Sequence, residues 1–124
     1  MTYGSASQKC ILLVDDEPGL QITLGLLMES EGFRVLIASN GLEGLSILET
    51  NQPDLIITDF MMPQMDGLKF IAEIRANASL RDIPIVLTSA VDVAVPKHPG
   101  GDITFLHKPA RWMEMKACIQ RLLP

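Results

Sequence analysis

Two hydrophobic rhythms alternate along the chain. Unbroken β-type runs fall at residues 10–15, 34–38, 55–59, 85–89 and 104–107. Runs of this kind suit strands covered on both faces. Between them, apolar residues recur at helical spacing. Leu20, Leu24, Leu27 and Met28 follow Pro18, with Asp16 or Glu17 as the cap and Gly32 as the stop. Asn40 caps a second helix with an apolar face of Leu42, Leu45 and Leu48, and residues 51–53 end it. Asp66 caps a third, carrying Leu68, Ile71 and Ile74. The last spans 111–123, with Trp112, Met115, Ile119 and Leu122 facing inward.

The rhythm breaks once. Between Ala90 and Asp102, Pro96, Pro99 and the adjacent Gly100 and Gly101 oppose a helix. A fourth helix here is therefore expected to be short or degenerate, and the crossover 91–102 mostly irregular. Alternating βα units imply an α/β fold, a doubly wound parallel sheet with helices on both faces. Right-handed crossovers leave few topologies, and five strands in the order 2-1-3-4-5 are the natural choice. The switch point of that sheet lies between its first and third strands.

Composition narrows the picture. A chain of 124 residues with 48% apolar content fits one packed domain. Residues 1–8 are small and polar and read as a flexible tail, leaving 9–124 as the domain. The formal net charge of −5 argues against direct nucleic-acid binding. No apolar stretch approaches ~20 residues, so no membrane insertion is expected. No signal-peptide core opens the chain. Cys10 and Cys118 sit within apolar patterns, without pairing or metal spacing, and read as buried reduced thiols of a cytoplasmic protein.

The candidate chemistry lies where the strands stop. The first run ends in Asp15-Asp16, the third in Asp59, the fourth in Thr88-Ser89-Ala90 and the fifth in Lys108-Pro109. In a parallel sheet those ends share the edge at which such folds bind ligands. Two carboxylates ~5 Å apart repel by about 3 kcal/mol at an effective dielectric near 20. Asp15, Asp16 and Asp59 would therefore raise one another's pKa or recruit a cation. All available ligands are oxygens, which favours Mg2+, with Mn2+ as the alternative, over zinc. A carboxylate beside such an ion and a lysine can accept a phosphoryl group, because that transfer is mainly positioning and charge neutralisation. Lys108 supplies the ammonium and Ser89 a hydroxyl donor. Each residue alone has an ordinary explanation as a cap, turn or solvated surface; their joint order at successive strand ends does not.

These residues resemble the receiver domain of two-component response regulators, CheY-like proteins of flavodoxin-like fold. The likeness covers nearly the whole chain. It rests on Asp15-Asp16, the Asp-x-x-Met-Pro-x-x-Asp-Gly segment at 59–67, the strand after Pro84 ending in Ser89-Ala90, and Lys108-Pro109. The resemblance implies that Asp59 is the phosphoacceptor, phosphorylated by a histidine kinase or histidine phosphotransfer protein. It implies Mg2+ held by Asp15, Asp16, Asp59 and the backbone carbonyl of Met61, with Asp16 a direct ligand. Lys108 would pair with the phosphoryl group, and Ser89 would be the switch hydroxyl, with Thr88 the competing choice. Phe105 stands where the family often has an aromatic residue that swings inward on activation; a permanently buried strand residue is the other reading. Output would pass through a downstream protein or domain. The domain assists its own phosphorylation and dephosphorylation without being a free-standing enzyme.

Some features depart from the family's pattern. The degenerate fourth helix implies a different output face. Met61 and Val91, two places after Asp59 and Ser89, cannot orient attacking water well, so a long-lived phosphoaspartate is expected. The chain ends after its last helix, so it reads as a stand-alone receiver or one excised from a larger protein. The alternative function is a pseudo-receiver, a binding module independent of phosphorylation. A Mg2+-dependent phosphohydrolase is disfavoured because Met61 stands where such enzymes carry a second carboxylate. His98 and His107 read as ordinary surface or strand-end residues and not as a phosphohistidine relay. The last helix and 91–102 form the expected contact area, and Met62 and Met65 either dock a kinase or pack inward.

Overall fold

The computed structural model describes residues 8–95 and 100–124. Five strands and four helices follow in order: β1 (Cys10–Val14), α1 (Pro18–Ser30), β2 (Arg34–Ala38), α2 (Gly41–Leu48), β3 (Leu55–Asp59), α3 (Gly67–Ala76), β4 (Ile85–Ser89), β5 (Ile103–His107) and α4 (Trp112–Leu122). All strand pairings are parallel, and the sheet order is β2-β1-β3-β4-β5. The expected topology holds; strand ends agree with the expected ones within one residue, while α2 stops at Leu48, short of the expected end at 51–53. The unbroken runs of β1, β3 and β4 are buried along their whole length, as central strands covered on both faces must be.

Alternation along each strand divides the core in two. Leu12, Val14, Ile56, Ile85 and Leu87 meet Phe70, Ile71 and Ile74 of α3 on one face. Ile11, Leu13, Leu55, Ile57 and Val86 meet Met28 of α1 and Met115, Cys118 and Ile119 of α4 on the other. Both cysteines are buried and unpaired. β5 is an edge strand, and Ile103, Thr104, Phe105 and Leu106 are each half-buried. Among the described residues no helix lies between β4 and β5. Pro96 and His98 fall outside the described residues.

Caps follow the sequence at two helices. Asn40 Oδ1 accepts from Glu43 N–H at 2.8 Å, and Asp66 Oδ1 from Lys69 N–H at 2.9 Å. At α1 the cap position is Glu17, but its side chain makes no cap bond. Instead its own N–H donates to Asp15 Oδ1 at 3.0 Å, so the turn is tied to a buried carboxylate. Gly32 ends α1 as expected, its N–H bonded to the Glu29 carbonyl at 2.9 Å.

One expectation is corrected, and one open choice is decided. Leu42 does not face inward; it is 50% exposed. The buried stripe of α2 is Gly41, Gly44 and Leu48. A Cβ at Gly44 would stand 2.8 Å from the Phe70 ring, and one at Gly41 2.9 Å from Met65 Sδ. The helix therefore packs through its glycines and turns Leu42 to solvent. Of the two readings of Met62 and Met65, inward packing holds: both are half-buried against the core, and Met65 fills the notch at Gly41. Met61 is the exposed methionine of this loop.

One buried charge carries no mark in the sequence. Arg75 of α3 is 4% exposed. Its Nη1 donates to the Ile83 carbonyl and its Nη2 to the Gly101 carbonyl, both at 2.9 Å. One guanidinium thus joins the loop entering β4 to the end of the β4–β5 crossover.

Candidate functional site

The sheet brings the strand-end carboxylates together. Asp15 directly follows β1 and Asp59 ends β3, and these strands are neighbours. One oxygen from each of Asp15, Asp16 and Asp59 lies within 4.8 Å of the others. Two charges at that separation repel by about 3 kcal/mol at an effective dielectric near 20. Asp15 and Asp59 are buried, whereas Asp16 is exposed. Gly67 lets α3 begin flush against this edge, since a Cβ there would stand 2.6 Å from the Asp59 carbonyl oxygen.

Lys108 crosses to the cluster from the end of β5. Its backbone N–H donates to the Ser89 carbonyl at 2.8 Å, which extends the β4–β5 ladder by one step. Its Nζ lies 3.2 Å from Asp59 Oδ2 and 3.3 Å from Asp15 Oδ2. Burial pushes the Asp59 carboxyl pKa up. The Lys108 ammonium pulls it back only partly, helped by the Phe60 N–H at 2.9 Å, while Asp15 adds to the rise. Burial pulls the Lys108 pKa down, but attraction to Asp15 and Asp59 outweighs it, so the net shift is upward. The ammonium stays charged while Asp59 resists its own charge. One lysine does not neutralise three carboxylates, and an added cation would relieve the imbalance. A donor set made only of oxygens fits Mg2+.

The remaining candidates sit around this centre. Thr88 is the register partner of Asp59 and lines the same cavity. Ser89, one residue on, points to the other face; its Oγ accepts from the Val91 N–H at 3.1 Å. Phe105 is half-buried against the α3-side core, edge-on to the His107 ring at 6.1 Å and 84°. No hydrogen bond joins Ser89 to the carboxylates among the described residues. Met61 is 63% exposed and lines a shallow depression with Asp16 and Pro63. His107 is exposed and accompanies Asp92 at 3.8 Å.

Gln21 had no signal in the sequence. Its amide donates to the Asp15 carbonyl and, at 3.1 Å, to Ser39 Oγ. It thereby ties α1 to the ends of β1 and β2. Helical spacing marks positions that face the core, and it carries no information about an amide reaching sideways to a strand end.

Residues 11–120 match the response regulator receiver domain family. The chain belongs to that family and to two-component signalling. It is 36% identical over 117 residues to response regulator Rre1 of Synechocystis, which covers 91% of this chain and 51% of that protein. Sporulation initiation phosphotransferase F of Bacillus subtilis is 30% identical over 115 residues, covering 92% of this chain and 93% of its own. The chain spans about half, or less, of the length of several curated relatives it matches. Among solved structures, chemotaxis response regulator CheY4 of Vibrio cholerae has a TM-score of 0.84 at 25% identity, covering 94% of this chain and 100% of its own. Response regulator TrrA of Thermotoga maritima, solved in complex with Mg2+-BeF, has a TM-score of 0.79 at 31% identity, covering 94% and 100%. Among the described residues no helix is long and apolar enough to cross a membrane.

Proposed function

We propose that this receiver domain is a phosphoacceptor, esterified on Asp59 by a phosphohistidine of a histidine kinase or phosphotransfer protein. The observation that carries this is the approach of Asp15, Asp16 and Asp59 within 4.8 Å, with Lys108 bridging two of them. Asp15, Asp16, Asp59 and the Met61 carbonyl would hold Mg2+, whose charge offsets that of the phosphoryl oxygens. An Asp59 oxygen forms the new bond to phosphorus as the P–N bond breaks, and the electron pair of that bond returns to the donor imidazole. Lys108 leaves Asp59 to pair with a phosphoryl oxygen. Ser89 donates its hydroxyl to another, exchanging its contact with the Val91 N–H; Thr88 is the competitor for that role. Movement of Ser89 makes room for Phe105, which biases a two-state output surface. The domain assists its own phosphorylation and is not a free-standing enzyme. It acts in the cytoplasm by changing which proteins it binds.

Intact mass after incubation with acetyl phosphate and Mg2+ tests this. The wild type gains one phosphoryl group and Asp59→Asn gains none; an unmodified wild type rejects the reading. With Met61 and Val91 both apolar and exposed at the places that could guide water, the phosphorylated form should persist for minutes or longer once acetyl phosphate is removed. Loss within seconds contradicts that point. The β4–β5 crossover, which holds no helix among its described residues, favours one second reading, a pseudo-receiver that binds partners without phosphorylation. Mg2+-dependent uptake of beryllofluoride, lost in Asp59→Asn, separates the two.

A further inference from the structure

The space beside the carboxylate cluster is larger than a metal ion needs. A cavity of about 360 Å³ opens between α1, α4 and the central strands. That is within the ~300–1,000 Å³ range of small-molecule sites. Leu13, Leu20, Leu24, Ile57 and Met115 make its apolar walls. Asp15, Glu17, Asp59 and Lys108 line it at the strand ends. Asp15 and Asp59 share one ammonium, and the exposed Glu17 adds a third carboxylate to the lining, so negative charge is in excess at that end. The opposite core-ward lining offers no polar side chain among those five residues.

Few occupants satisfy both ends. A neutral apolar molecule would seal Asp15 and Asp59, 3% and 8% exposed, against hydrocarbon with only the one Lys108 ammonium between them. An anion would meet the excess negative charge. A protonated amine on an aryl or branched-alkyl body places its charge at the carboxylates and its body against Leu20, Leu24 and Met115. We propose that this cavity is a binding site for small amphiphilic cations, and that the ammonium head and the divalent ion exclude each other. The second half of this inference rests on the reading of Asp15 and Asp59 as ion ligands. A ligand of this class would hold the receiver in its unphosphorylated state by denying it the metal.

Benzylammonium is the probe, followed by NMR on the intact chain. In metal-free protein it should shift the methyl resonances of Leu20, Leu24 and Met115. At ten times its own Kd it should weaken apparent Mg2+ affinity about tenfold, as competition for one site requires. Methylammonium at the same concentration should do neither. Leu24→Phe, which fills the cavity, should abolish the benzylammonium effect and leave Mg2+ affinity unchanged; that unchanged affinity also reports an intact fold. If Leu24→Phe loses Mg2+ binding, Leu20→Phe takes its place. The proposal is overturned if benzylammonium leaves those methyl groups unmoved, if methylammonium competes equally well, or if the effect survives the filled cavity. If Mg2+ itself does not bind, the metal reading fails, and the methyl shifts in metal-free protein still decide the cavity.

Discussion

A buried guanidinium and a half-buried ammonium organise opposite parts of this molecule, and they are matched to their surroundings in different ways. Arg75 donates to the neutral carbonyls of Ile83, Gly101 and Asp102 and is attracted by the exposed carboxylates of Asp82 and Asp102. It gathers chain segments and asks nothing of a ligand. Lys108 is surrounded by ionisable carboxylates, Asp15 and Asp59, with Asp16 close by. There the charges do not balance, and the surplus is available to an incoming ion. The guanidinium is thus held mainly by backbone dipoles, its Nε alone lacking a partner among the described residues, whereas the ammonium is outnumbered by carboxylates.

The largest effect that tests this contrast is expected at Arg75. Removing a charged donor set strands buried carbonyls, at a cost of roughly 3 kcal/mol. Arg75→Met should lower the urea midpoint accordingly, while Mg2+ affinity, read on the folded protein, stays within a factor of two. Equal damage to metal binding would break the distinction between the two centres.

A smaller effect of opposite sign is expected at Asp59. Its pKa lies above the usual aspartate value near 4. The folded state then binds more protons than the unfolded one between that ordinary value and the raised one. Stability of metal-free protein therefore falls as pH rises through this window. Asp59→Asn should remove the fall and stabilise metal-free protein at pH 7 by about 1 kcal/mol, a trade common at functional sites. Saturating Mg2+ should reverse the slope, because ligation needs ionised carboxylates. Urea titrations at several pH values, with and without Mg2+, measure both. A wild type whose stability rises with pH in the absence of metal would contradict the outnumbered-charge account.

The smallest effect calibrates the others. Leu42 touches neither centre and is half exposed. Leu42→Lys should change stability by no more than about 0.5 kcal/mol. A larger loss would mean that the glycine-led packing of α2 misstates which face of that helix is buried.

The same contrast explains what the sequence made legible. Asp15, Asp59 and Lys108 each stand at the end of an apolar run, so strand pattern and sheet topology together located the site. Arg75 could not be found this way. Its partners are backbone carbonyls eight and 26 residues away, and any residue could have supplied them. Leu42 was misplaced because apolar spacing took leucines for the contact stripe, whereas Gly41 and Gly44 make the close approach. The two readings of Met65 stayed open for a related reason, since a notch left by a missing side chain has no hydrophobic signature. At the end of β4, the register pairs Thr88 with Asp59, while the residue pattern favours Ser89 as the switch. A one-residue step in a strand changes the face, and pattern alone does not fix which hydroxyl answers to the phosphoryl group.

The β4–β5 crossover has two moorings, one of them the guanidinium of Arg75. The departure from β4 is fixed by the sheet, and the return at Gly101 and Asp102 by a side chain from α3. The second mooring lies directly before Ile103, where β5 enters the sheet beside Ile85. A side chain of α3, remote from the carboxylates, in this way helps hold the strand whose far end carries Lys108.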